Sequence, residues 1–237
     1  MPPARLTWYW QLQGSVRTEP VAVTDRDGLD NSAATVAALH RRHQHVICYI
    51  DVGTWENWRS DAGRFPRSVL GSNNGWPGER WLDVRQLSAP APIMRARFAT
   101  CARKHFDAVE PDNMDGFENG TGFPITRGQQ LAYDDWVART VHGMGMAVFE
   151  KNLPELAGQL QPHFDGVLEE QCNQVLRMRG VRALSAGAQA GAQRGVPALA
   201  VPGLLRQRPQ TGHLRRPVLA ESRRLAVPAV PVTCVAG

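Results

Sequence analysis

Hydrophobic positions along the chain fall into short runs separated by longer stretches of helical period. Strand-like runs occur at Thr7–Leu12, Val21–Thr24, Val46–Val52, Ala108–Glu110, Met146–Phe149 and Gly166–Glu169. Between them, Ser32–Arg42 reads as a helix with a Ser or Asn cap and basic residues in its last turn. Ala91–His105 reads as a second helix. Gln129–Met144 reads as a third, with Leu131, Trp136, Val137 and Val141 near helical spacing. Short apolar runs alternating with helices predict βα units and a parallel sheet. The segment Thr54–Leu87 breaks this rhythm. It is rich in Trp, Gly, Asn and Asp, has weak periodicity, and is expected to be a long functional loop. Trp55, Trp58, Trp76 and Trp81 argue against disorder there. Their faces could serve as sugar platforms over a barrel mouth, although for any single Trp packing of the loop is the favoured account.

Length and charge refine this picture. At 237 residues the chain suits one α/β barrel, which typically takes about 250. Residues 1–172 carry 17 Lys+Arg against 21 Asp+Glu, a balance of −4, whereas residues 173–237 carry 10 Arg against Glu221 alone, a balance of +9. All 17 aromatic residues precede residue 173, and prolines recur at 197, 202, 209, 217, 228 and 231. A stretch without large apolar anchors is expected to be disordered, and its composition resembles a GC-rich coding strand read out of frame. Two regions are therefore expected: a barrel of six βα units over 1–172 and a basic tail over 173–237. No 18-residue apolar run predicts a membrane span. No signal peptide is evident, which places the protein in the cytoplasm if the start is correct. The cysteines at 48, 101, 172 and 234 form no CxxC pair, so zinc is not expected. Cys48, in an apolar strand, is expected to be a core thiol, and no disulfide is assignable.

Candidate chemistry clusters where the strands end. The run FDAVEPDNMDGF brings Glu110, Asp112, Asn113 and Asp115 to one strand exit, and alternation points Glu110 and Asp112 to the same face. The competing account is an acidic turn that caps the next helix. Other exits repeat the pattern: Asp25 and Asp27, Asp51 followed by Glu56, Lys151 with Asn152, and Glu169 with Glu170. Catalytic residues of α/β barrels occupy the carboxyl ends of strands. Acids from non-adjacent strands are what a two-carboxylate glycosidase requires, one to protonate the leaving oxygen and one to attack or to activate water. Motifs for Ser hydrolases, phosphate-binding loops, zinc proteases and dinucleotide folds are absent. His40, His43 and His45 cluster at a helix end, where interaction with the helix dipole accounts for them better than zinc. His142 is expected to be structural.

Taken together, WYWQLQG, VICYIDVGTWENWR, the loop ending GWPGERWLDVR, FDAVEPDNMDGF, NGTGFPIT, EKN and EEQC resemble glycoside hydrolase family 114 over about residues 6–172. The resemblance implies a TIM (β/α)8 barrel, here incomplete or irregular over its last two strands. It implies an endo-α-1,4-polygalactosaminidase that cleaves α-1,4-linked galactosamine polymers, with Asp112 and Glu170 as the catalytic acids. Asp51, Glu110, Asn113, Asp115, Lys151, Asn152, Trp10 and Trp55 are expected to line the substrate site. Neither a cofactor nor a metal is implied; the partner is a polysaccharide rather than nucleic acid, the protein is expected to be a monomer, and the family points to an extracellular location. The alternatives are an inactive carbohydrate-binding barrel and a truncated or frameshifted product whose basic tail binds a polyanion.

Overall fold

A computed structural model describes residues 7–170 and the backbone of residues 232–234. Its main sheet is parallel throughout: β1 (Trp8–Gln11), β2 (Val23–Asp27), β3 (His45–Asp51), β7 (Ala108–Asp112), β8 (Ala147–Lys151), β9 (Gly166–Glu169) and β10 (Val232–Cys234), neighbours in that order. The six strand-like runs of the sequence are the first six of these. β10 comes from the basic tail and pairs with β9. The rest of the tail lies outside the described residues.

The sheet is strongly curled. β1 and β8 stand four places apart in the sheet, about 19 Å in a flat one, yet the Trp8 and Phe149 rings meet edge to face with centroids 6.1 Å apart. Inside the curl, Trp8, Val23, Ile47, Ala108, Phe149 and Leu168 form a compact apolar layer. Outside it, Val46, Cys48, Ile50, Val109 and Val148 pack with the helices in the larger core. Alternation along each strand thus sends one set of side chains inward and the other toward the helices. Among the described residues the sheet does not close from β10 to β1, and these residues form an incomplete TIM barrel.

Of the helices α1 (Ala33–His40), α2 (Ala91–Arg103) and α3 (Arg127–His142), α1 and α3 begin where side chains satisfy free backbone N–H groups, whereas α2 starts at Pro90 without a side-chain cap. Ser32 caps α1 by accepting from Thr35 N at 3.1 Å. α3 begins two residues earlier than its apolar spacing suggests, because Thr126 and Gln129 form a reciprocal capping box. A fourth, one-turn helix, α4 (Ala157–Leu160), precedes β9. His40 Nε2 lies 2.9 Å from Asp107 Oδ2 and His142 Nε2 lies 2.7 Å from Asp165 Oδ2, so both imidazoles have carboxylate partners.

Segment 54–87 is structured rather than a loop. It contains a three-stranded antiparallel sheet, β4 (Thr54–Glu56), β6 (Glu79–Leu82) and β5 (Leu70–Asn73), with β6 in the middle. These strands are three or four residues long and the β5–β6 register shifts between Leu70 and Asn73, which hides the period-2 signal.

Cys48 is not a thiol: it forms a disulfide with Cys101 that joins β3 to α2 across a 53-residue separation. Closing a loop of that length is worth about 3–4 kcal/mol. The Cys48→Ala/Cys101→Ala protein is expected to melt roughly 6–16 °C lower, readable by calorimetry.

On the outer face, Glu150 is almost fully buried. One oxygen accepts from Leu153 N at 2.5 Å, and the other has no hydrogen-bond partner among the described residues. Burial, then the nearby Glu169, pushes the Glu150 carboxyl up to about 8. In the unfolded chain it titrates near ~4.3. Between those values the unfolded state has released a proton that the folded state retains, so stability falls as pH rises. Denaturant titrations at pH 5 and pH 8 should show the parent losing a few kcal/mol more than Glu150→Gln; equal losses would contradict this assignment.

Candidate active site

At the carboxyl ends of the strands, alternation turns Trp10, Asp25, Tyr49, Asp51, Glu110, Asp112 and Lys151 inward. The register supports one shared face, with Trp10 beside Asp25, Tyr49 beside Glu110, and Asp51 beside Asp112. Two asparagines at strand exits, Asn113 and Asn152, adopt left-handed backbone (φ 59° and 53°), which Asn tolerates better than most residues. Each turn re-aims the chain so that the Asn side chain points back into the site. Gly53 makes the first turn possible, since a Cβ there would stand 1.6 Å from the Asn113 carbonyl oxygen.

Lys151 is the hub. Its side chain is 1% exposed, and its Nζ lies 2.5 Å from Glu110 Oε1, 3.3 Å from Asp112 Oδ1 and 3.5 Å from Glu170 Oε1. The Trp10 ring faces the same ammonium, 4.8 Å from Nζ to the centroid. Burial alone would lower the Lys151 pKa, but Asp112, Glu110 and Glu170 outweigh it and the net shift is upward, so the lysine stays charged. Since Asp112 and Glu170 contact one nitrogen, the two oxygens involved are at most about 6.8 Å apart, the sum of the two separations.

Asp112 also accepts a 2.9 Å hydrogen bond from the Tyr49 hydroxyl. Burial, then the Asp112 charge, drives the Tyr49 pKa well upward, so the phenol keeps the proton it donates. Tyr49 is the residue that the sequence reading missed. Its signal was its alternation with Asp51 on β3. Glu170 is held on two sides: Asn152 Nδ2 donates to Oε2 at 3.0 Å, and Glu170 N donates to Asn152 Oδ1 at 2.9 Å. Asp112 and Glu170 are 22% and 38% exposed, so both face solvent across the same mouth.

The other expected lining residues divide by position. Trp10, Asn152 and Lys151 join the cluster at the carboxyl ends of the strands. Asp51 stands beside Asp112 and Glu110 sits one inward step below it, both fully buried. Asp51 accepts from Gly53 N (3.2 Å), Thr54 N (2.8 Å), the Thr54 hydroxyl and Asn113 Nδ2 (2.8 Å). Asp115, half-buried, precedes the short 3-10 turn Gly116–Glu118, and its backbone carbonyl accepts from Asn119. Trp55 packs against the core, with its indole N–H donating to Ala62 O at 3.0 Å. Trp58 and Trp76 are the exposed aromatics of this segment. Carboxylate oxygens of Asp51, Glu56 and Glu79 come within 4.8 Å of one another. Internal donors already occupy them: Arg59 and Arg97 on Glu56, Thr54 and Asn74 on Glu79, and the four donors on Asp51.

A curled parallel βα sheet that brings two solvent-facing carboxylates from different strands around one buried ammonium has the parts of a barrel glycoside hydrolase. The comparisons agree on that class: the profile of glycoside-hydrolase family GH114 matches residues 1–189, and the chain belongs to this family. It is similar to Ega3 of Aspergillus fumigatus, solved in complex with galactosamine, with 28% identity and a TM-score of 0.71 over 78% of this chain and 74% of that one. The glycoside hydrolase domain of PelA from Pseudomonas aeruginosa shares the fold, with a TM-score of 0.56 and 13% identity over 85% of this chain and 96% of that domain. No curated protein sequence matches significantly.

Proposed function

We propose that the protein is an endo-acting hydrolase of α-1,4-linked galactosamine polymers, with Asp112 as nucleophile and Glu170 as general acid and base. The observation that carries this reading is the convergence of both carboxylates on Lys151 from different strand ends. Galactosamine enters from the ligand of the similar Ega3, and an acid-rich site suits a cationic amino sugar. Asp112 is the nucleophile because Tyr49 and Lys151 hold it in place and balance its charge. Glu170 is the acid and base because it is the more exposed of the two and can exchange its proton with solvent. Asp112 attacks the anomeric carbon while Glu170 protonates the departing oxygen. A water activated by Glu170 then releases the sugar from Asp112. Lys151, Asn152, Asn113, Asp115 and Trp10 shape and charge the site, with Asp51 buried beside Asp112 and Glu110 supporting it from below.

Release of reducing ends from a de-N-acetylated galactosamine polymer, assayed with the parent chain and with Asp112→Asn, tests this proposal. Binding without any cleavage by the parent would favour an inactive carbohydrate-binding barrel. The Cys48–Cys101 disulfide supports maturation in an oxidising compartment outside the cytosol.

A further inference from the structure

Beside the catalytic pair lies a cleft of about 470 Å³ that the catalytic reading does not use. Trp58 and Trp76 form part of its wall, with Asp30, Glu79 and Arg59 among the other lining residues. Tyr49 lines it too, and its hydroxyl donates to Asp112, so the cleft adjoins the candidate active site.

Among the described residues only three large apolar side chains are markedly exposed, and two of them are these tryptophans, at 52% and 66%. Trp76 is presented at the tip of the β5–β6 connection. Asn73 and Asn74 accept from Gly75 N and Trp76 N there, at 2.7 and 3.0 Å, and Gly75 and Gly78 supply left-handed backbone. Two indoles left in water at the rim of one cleft leave apolar faces for a flat, C–H-rich ligand to cover.

The charge of the cleft narrows the choice of ligand. Arg59, the one cation among the described lining residues, is bound to Asp27 at 2.6 Å and to Glu56 at 2.7 Å. Among the described residues Glu79 receives only neutral donors, Thr54 Oγ1 at 3.3 Å and Asn74 Nδ2 at 2.5 Å. Asp30 is 3.5 Å from Arg59 but largely exposed. The cleft therefore keeps surplus negative charge next to two aromatic faces, a pairing that attracts a cation carried on an apolar body.

We propose that this cleft is an adjoining subsite for a protonated 2-amino sugar unit of the polymer, stacked on Trp58 and Trp76 with its ammonium toward Glu79. This rests on the hydrolase reading and extends it. The site reads the free amine away from the bond being cut, so it favours de-N-acetylated segments.

Calorimetric titration of the full chain carrying Asp112→Asn tests the proposal, with a free-amine α-1,4-galactosamine oligomer and its fully N-acetylated counterpart as probes. Trp76→Ala and Glu79→Gln are each expected to weaken binding of the free-amine oligomer roughly tenfold. Glu79→Gln should leave binding of the N-acetylated oligomer unchanged, whereas Trp58→Ala and Trp76→Ala should weaken both. Unchanged melting temperatures would show that the exposed tryptophans are not needed for folding. If these substitutions leave the free-amine Kd within about twofold while Asp112→Asn abolishes cleavage, the subsite is overturned and the catalytic assignment survives. If Asp112→Asn still cleaves at the parent rate, the catalytic assignment falls and the same titrations still decide the subsite.

Discussion

Asp112→Asn and Glu170→Gln should each lower kcat on a galactosamine polymer on the order of a thousandfold or more, with both proteins folded at the parent's melting temperature. Asn and Gln keep the shape and part of the hydrogen bonding, so the loss reports chemistry rather than collapse. The two substitutions should also differ. Removing the nucleophile opens a space into which a small external anion such as azide can move, and azide should restore part of the rate in Asp112→Ala with inversion at the anomeric carbon. Azide acting on Glu170→Ala should instead give a product of retained configuration, because Asp112 still attacks first.

The proposed role of Asp112 as nucleophile predicts retention in the parent. Retaining pairs stand roughly 5–5.5 Å apart and inverting pairs roughly 6.5–9.5 Å, the difference being room for a water. Here the two oxygens nearest the ammonium are at most about 6.8 Å apart, from separations of 3.3 and 3.5 Å, which excludes all but the short end of the inverting range. NMR of the first-formed reducing sugar checks this; an inverted product from the parent would remove Asp112 from the nucleophile's role.

Much of this arrangement was legible in the sequence, for a physical reason. Parallel strands buried on both faces read as continuous apolar runs, so β2, β3, β7, β8 and β9 stood out, and their polar exits marked the catalytic end. Glu110 and Asp112 were expected on one face by alternation, and both reach Lys151. What stayed hidden depends on contacts between distant segments. Tyr49 looks like an ordinary strand aromatic until β3 and β7 pair and set its hydroxyl against Asp112. Cys48 and Cys101 carry no spacing signal, because their partnership is made by α2 packing on β3. Trp55 and Trp58 are three positions apart in one motif, yet one packs into the core and the other faces the cleft. That difference is decided by β4 pairing with β6, where Trp55 stands opposite Arg80.

The largest stability effect should come from Lys151→Met. The substitution nearly conserves volume and keeps a group under Trp10, but it removes the only cation within contact of buried Glu110 among the described residues. Breaking a buried ion pair from one side costs about 3–5 kcal/mol, and Glu110 would answer by taking up a proton. Its surroundings already lean that way: burial raises its pKa, and Lys151 is the main influence pulling it back down. Asp25, fully buried beside Glu110, is likewise pushed upward, by burial and then by the Glu110 charge. In the double substitution Lys151→Met/Glu110→Gln no buried charge is left without a partner, and most of the lost stability should return. Activity should not return with it, because Asp112 and Glu170 would still lack the ammonium that holds them together. Denaturant unfolding and kcat measured on the single and double variants separate these outcomes. Stability and turnover recovering together would mean that Lys151 serves the fold alone. Recovery of stability without turnover would place the lysine in the chemistry of the site, as the charge that allows two carboxylates to face one sugar.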